Sequence, residues 1–197
     1  MVQVVSRRSF AKLGGSLAAL SLVGPSRLAF GNPVVGNPMT GGSATRGEPS
    51  FELLAVLDIE LDGSLAIGPV PLGTRQIFPI KGGTFEGPNM RGEILPGGGD
   101  WLLRRSDGAS SLDVRATLRT DDGALIFSHY RGILYMPPEA IAKRQAGNQL
   151  TADDYYFRIA PFFETSADSY GYLNRTMAVG IGELGQGRVK YTVYSIL

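Results

Sequence analysis

The sequence predicts an all-β protein: an antiparallel β-barrel of about nine or ten strands with one short helix. Three observations carry this expectation. Apolar and polar residues alternate with period two over much of the second half, which is the signature of a strand with one buried face. Glycine occurs 27 times in 197 residues, roughly twice its usual frequency, and beyond the first thirty residues it falls mostly where chains turn. Only one segment carries both helix-start and helix-stop signals. Closure into a barrel is preferred over a sandwich because it removes exposed strand edges and gives the polar strand faces an interior to line.

The chain begins with an address. Ser6-Arg7-Arg8-Ser9-Phe10-Ala11-Lys12 fills every defined position of a twin-arginine export signal. The apolar run 13–23 that follows holds two glycines and two serines and is far shorter than the roughly 20 residues a membrane-spanning helix needs. It reads as the core of a signal peptide over 1–31, closed by Pro25, with cleavage near Gly31. The expectations are export through the twin-arginine translocase, a periplasmic or secreted location and no stable membrane anchor. The alternative is a chance Arg-Arg pair in an unprocessed tail. Residues 32–50, dense in Gly, Pro, Asn, Ser and Thr, bury too little to order themselves and read as a flexible linker.

The domain then spans 51–197, about the usual size for one core. Residues 51–61 put Phe51, Leu53, Ala55, Leu57, Ile59 and Leu61 on one face and end at the turn Asp62-Gly63. Strands follow at 74–81, 89–95 and 101–105, punctuated by Gly82-Gly83, Pro96-Gly97-Gly98-Gly99 and Asp107-Gly108. The clearest hairpin is 112–135. There Leu112, Val114, Ala116 and Leu118 alternate with Asp113, Arg115, Thr117 and Arg119 before the turn Asp121-Asp122-Gly123. The helix is 137–146, with proline in its first turn and Gly147 or Asn148 at its end. The last strands are 155–163, 176–181 and 188–196.

Composition excludes several functions. The net charge of +1 includes Arg7, Arg8, Lys12 and Arg27 of the leader, so the mature chain is near neutral or mildly acidic and offers nothing to nucleic acid. Without cysteine there are no disulfides, thiolate ligands or cysteine nucleophiles, which suits a protein that folds in a reducing compartment and works in an oxidising one. His129 is the only histidine. A multi-histidine metal site is therefore impossible and no Gly-x-Ser-x-Gly elbow exists to partner it; an oxygen-ligand calcium or magnesium site stays open, though without EF-hand spacing, and neither metal nor cofactor is expected.

Several motifs together carry a resemblance. They are Ile80-Lys81-Gly82-Gly83-Thr84-Phe85-Glu86-Gly87-Pro88, Ile94-Leu95-Pro96-Gly97-Gly98-Gly99-Asp100-Trp101, Asp113-Val114-Arg115 and Thr120-Asp121-Asp122-Gly123-Ala124-Leu125-Ile126. Later come Tyr156-Phe157-Arg158, Phe163-Glu164-Thr165 and Tyr172-Leu173-Asn174. With these the chain resembles the domain-of-unknown-function 3237 family over 51–197. The resemblance implies a lipocalin-like or calycin-like barrel, often oligomeric, so a homo-oligomer is a candidate assembly. It supplies no reaction. Tyr172 stands where the family usually has tryptophan, which bears on pocket size.

Candidate site residues follow from charges in apolar or glycine-rich strand contexts: Glu86, Asp100, Arg115, Arg158 and Glu164. In a barrel lumen such groups need partners. Either they form a carboxylate and arginine cluster, with Glu86 or Glu164 moving a proton and an arginine fixing an oxyanion, or they are an ion-pair network that holds strand register. Trp101, Tyr172 and other aromatics of the second half either line a flat ligand or are core. With Arg115, Arg158 and Asn174 they complete the expected ligand set. The expected function is binding of a small aromatic or carboxylate-bearing molecule; the alternatives are a cofactor-independent isomerase or lyase, and a purely structural scaffold.

Overall fold

The computed structural model describes residues 47–197. The expected leader, and the linker up to residue 46, lie outside the described residues. Nine strands follow in order: β1 (Phe51–Leu61), β2 (Leu65–Val70), β3 (Gly73–Glu86), β4 (Arg91–Arg104), β5 (Ala109–Thr120), β6 (Leu125–Tyr135), β7 (Tyr156–Glu164), β8 (Ala178–Leu184) and β9 (Arg188–Ile196). A helix α1 (Pro138–Gln145) stands between β6 and β7. Every pairing is antiparallel, in the order β1-β9-β8-β7-β6-β5-β4-β3, and β1 also pairs with β3. Eight strands therefore close a barrel, and β2 is an extra strand folded onto the first half of β3. Among the described residues no helix is long and apolar enough to cross a membrane.

The alternation seen in sequence becomes burial. On β5 Leu112, Val114, Ala116 and Leu118 face inward, and β7 alternates without a break, with Phe157, Ile159, Pro161 and Phe163 inside. Two expected turns prove to be something else. Gly82-Gly83 and Pro96-Gly97-Gly98-Gly99 lie inside the long strands β3 and β4, at the register slips between Pro79 and Gly83 and between Leu95 and Gly99. A barrel of eight strands must bend each strand sharply, and glycine-bearing bulges let the strand coil without ending it. At Gly98 a Cβ would stand 2.2 Å from the Arg115 carbonyl oxygen, so the strands approach too closely there for any side chain. The expected strands at 74–81 and 89–95 are thus halves of longer ones, and β2, rich in proline and glycine, has no counterpart among the expected strands.

The two ends of the barrel differ. At one end Leu54, Phe85, Met90, Leu118, Ile126 and Leu173 are buried in a continuous apolar plug. The other rim carries the β1–β2, β4–β5 and β8–β9 turns together with α1. That helix begins at Pro138, as its first-turn proline predicts, and stops where Gly147 takes φ +80° and gives its N–H to the Arg144 carbonyl at 3.0 Å. Lys143 donates to both oxygens of Asp154 at 3.0 and 2.8 Å, and Asp154 also accepts from the Thr151 backbone N–H. The Lys143 ammonium and these donors hold the Asp154 carboxyl down at about 2. The helix is thereby tied to the chain that leads into β7.

Candidate functional site: an open lumen around Asp100

The apolar strand faces enclose a cavity of about 1310 Å³ that reaches from mid-barrel to the rim bearing α1. This exceeds the usual range of small-molecule pockets, roughly 300 to 1,000 Å³. Ile59, Phe78, Leu112, Leu134 and Phe157 are among the walls, and among the described residues the only carboxylate that lines the cavity is Asp100. The lumen is neither dry-filled nor wholly apolar.

Asp100 lies on β4 just past the glycine bulge. Beyond it the β4–β5 ladder opens until Leu103 meets Ser111, and Asp100 Oδ1 accepts the Asp113 backbone N–H at 3.1 Å. Burial pushes its carboxyl up to about 6 from an ordinary 3.8. The Asp113 N–H bond and the Arg75 charge oppose the shift, while the Asp113 charge adds to it. Removal from water penalises the carboxylate more than one backbone donor can repair. Asp100 stands opposite Val114, which stands opposite Tyr130, so acid and phenol share one cross-strand row and are about 10 Å apart between α-carbons.

Tyr130 and Tyr191 are fully buried, their rings edge to face at 5.5 Å, and Phe157 packs edge to face on Tyr191 at 5.4 Å. Burial raises both phenols well above their ordinary value, and the Asp100 charge raises them further. At neutral pH the lumen therefore holds two neutral phenols and one carboxylate close to its titration point. A group of that kind can take or return a proton, and the phenols can donate to a developing negative charge.

The residues expected from sequence lie elsewhere, and none lines this cavity apart from Asp100. Arg115 points out of the barrel, bonded to Asp113 Oδ1 at 2.9 Å with its guanidinium 5.3 Å from the Trp101 ring centroid. Arg158 is also outside, over Tyr156 at 5.1 Å and donating to the Phe157 carbonyl. Glu164 is exposed 3.9 Å from His129, whose ring stacks between Phe127 and Phe162. Glu86 is exposed at the far end of β3. Asn174 braces a loop through two bonds to the Thr165 backbone, and Tyr172 packs on the plugged end. The structure brings Trp101 to Arg115 and leaves the others apart, so the expected single concavity is corrected.

The physical reason is the sense of the alternation. In a barrel this small the apolar face turns inward, and polar faces such as Asp113, Arg115 and Arg119 meet solvent. Asp100 is the one member of the charged set that faces in. Tyr130 and Tyr191 escape sequence reasoning because each reads as ordinary core in its strand. A tyrosine at an inward position of a barrel is the available signal, since its hydroxyl needs a partner there.

Fold and lumen together define a small antiparallel barrel with one open mouth and one titratable acid inside. The chain belongs to the family described as protein of unknown function (DUF3237), whose model matches residues 49–196. A UPF0311 protein of Clostridium acetobutylicum is 36% identical over 127 residues, 64% of this chain and 80% of that one. A UPF0311 protein of Rhodopseudomonas palustris is 32% identical over 130 residues, 66% of this chain and 85% of its own. Among solved structures, a β-barrel-like protein of Acinetobacter baumannii matches with TM-score 0.70 and 35% identity, covering 79% of this chain and all of its own. An enzyme from Penicillium herquei shares the fold with TM-score 0.59 and 21% identity, over 79% of this chain and 99% of its own.

Proposed function

We propose that this barrel binds a small, largely apolar organic molecule in its lumen and moves a proton to or from it through Asp100, without a cofactor. The observation that carries the reading is the lone carboxylate, held near a pKa of 6 by burial, in the wall of an open cavity beside two neutral tyrosines. A scaffold has no use for either the open volume or the buried acid. An isomerase or lyase needs both, with Asp100 as the acid-base group in place of Glu86 or Glu164.

Native mass spectrometry of gently purified protein tests the binding half. An added small-molecule mass is expected that disappears when the chain is denatured, and a bare chain under the mildest conditions would count against it. The catalytic half is read in deuterium oxide with the retained molecule. Wild type should exchange its most acidic C–H, and Asp100→Asn should slow that exchange about a hundredfold or more. Equal rates would remove the catalytic half and leave the binding half.

We also propose export to the periplasm through the twin-arginine translocase, on the strength of Ser6 to Lys12. Replacing Arg7 and Arg8 together by lysine should leave the full-length precursor in the cytoplasm. Normal periplasmic yield from that variant would overturn the assignment.

A further inference from the structure

Two arginines at the mouth of the lumen have no ion-pair partner among the described residues. They are Arg104, the last residue of β4, and Arg144, near the end of α1; both line the cavity. A third arginine there, Arg188, is already committed, with Nε 3.0 Å from Asp58 and a terminal nitrogen 3.5 Å from Glu60. Carboxylates do stand on the rim, Asp107 paired with Arg105 and Asp58 and Glu60 with Arg188, but among the described residues only the deeper Asp100 lines the cavity. Asp100, Leu102 and Arg104 all face the lumen along one extended strand, so acid and mouth are about 13 Å apart between α-carbons.

Arg144 stands on a braced element. Ile141, Arg144 and Gln145 form the helix face over the cavity, as their spacing of three and four dictates, and the Lys143 to Asp154 bonds fix the helix beside the barrel. Unpaired guanidinium groups at the edge of an apolar cavity stay hydrated until an anion arrives. Both are exposed, so the charge pair they then form is one that salt can screen.

We infer that the lumen takes an amphipathic organic anion, its charged group held at Arg104 and Arg144 and its apolar body inserted down the barrel. Asp100 then meets a neutral part of the molecule, remote from the anion. The inference rests on the lumen-binding reading above and narrows it to one class of ligand. The reverse orientation would set the anion against the ionised Asp100 in apolar surroundings, and a cation would have to pass two arginines to reach the carboxylate that lines the cavity.

Two fluorescent probes with one ring system test this: anilinonaphthalene sulfonate, an amphipathic anion, and phenylnaphthylamine, its neutral counterpart. The double variant Arg104→Gln, Arg144→Gln should weaken the sulfonate about tenfold and the neutral probe less than about twofold. Equal losses, or none, would overturn the inference while leaving lumen binding intact. If neither probe binds wild type, the lumen-binding reading itself falls. Should the double variant fail to fold, wild type decides: sulfonate affinity must drop with added sodium chloride while the neutral probe holds, and a flat sulfonate response overturns the inference. Phe162→Ser guards against binding on the outer aromatic face. It should leave both affinities unchanged, and loss of the sulfonate there would also overturn the inference.

Discussion

Gly83→Ala should lower the melting temperature of the domain by about 6 to 12 °C, the equivalent of about 3 kcal/mol at this size. Gly83 pairs with Ile59 of β1 and with Ile94 of β4, at the slip where β3 bends. Its φ is +150°, and a Cβ built there would stand 2.2 Å from the Asp58 carbonyl oxygen. The obstacle is backbone, so it cannot rotate away. The strands must separate instead, and β1 to β3 is the seam that closes the barrel. Gly171→Ala is the matched control, because nothing lies within 4 Å of the place its added methyl group would take and its φ is unremarkable for an L residue. It should stay within about 0.5 kcal/mol of wild type. A Gly83→Ala variant that melts with wild type would mean the seam is not closed at this point.

That glycine also marks what a sequence can and cannot disclose about a barrel. The hairpin of β5 and β6 was legible because it is regular: Leu112 to Leu118 alternate without interruption, and Asp122-Gly123 can hardly be anything but a turn. The helix was legible because Pro138 and Gly147 bracket it. Gly82-Gly83 and the three glycines after Pro96 mislead because a local pattern cannot separate a turn, where the chain reverses, from a bulge, where it bends and continues. Only the pairing of both flanks with the same neighbours makes that distinction, and such pairing is a long-range property. β2 was invisible for a related reason. Its apolar side chains Leu65 and Ile67 are exposed, so it carries no buried face to pattern.

The site was legible in part, for an electrostatic reason. A charge amid glycines and aliphatics is conspicuous in sequence, but its cost depends on which face of the strand it occupies. Arg115 and Asp113 sit between Leu112, Val114 and Ala116, all of them buried, so alternation alone sends the two charges outward, where they pair with each other. Expecting the polar faces to line the lumen inverts that relation. Asp100 escapes the rule because the β4–β5 ladder is irregular around it, and the opened ladder supplies the Asp113 N–H that its carboxylate accepts. Tyr130 and Tyr191 belong to strands remote in sequence, and only barrel closure makes them neighbours.

Asp100→Asn should stabilise the domain in mildly alkaline solution and, in the same variant, slow the proposed proton transfer about a hundredfold or more. The folded carboxyl sits at about 6 against an ordinary 3.8. Well below pH 3.8 both folded and unfolded chains hold the proton, and the residue contributes nothing. As pH rises from 4 to 6 the unfolded chain releases its proton first, so stability falls. Above pH 7 both are ionised and the folded state bears the full cost, about 3 kcal/mol for this difference in pKa. Asparagine does not titrate, matches the shape, and keeps an oxygen to accept the Asp113 N–H. The variant should therefore melt up to about 6 to 12 °C above wild type at pH 8, and the gap should close toward pH 4. A gap of the same size at both pH values would place Asp100 in water rather than in the lumen. The signs separate the two roles a buried acid can play. A carboxylate that serves the fold loses stability when neutralised, whereas one that serves proton transfer gives stability back while the reaction slows.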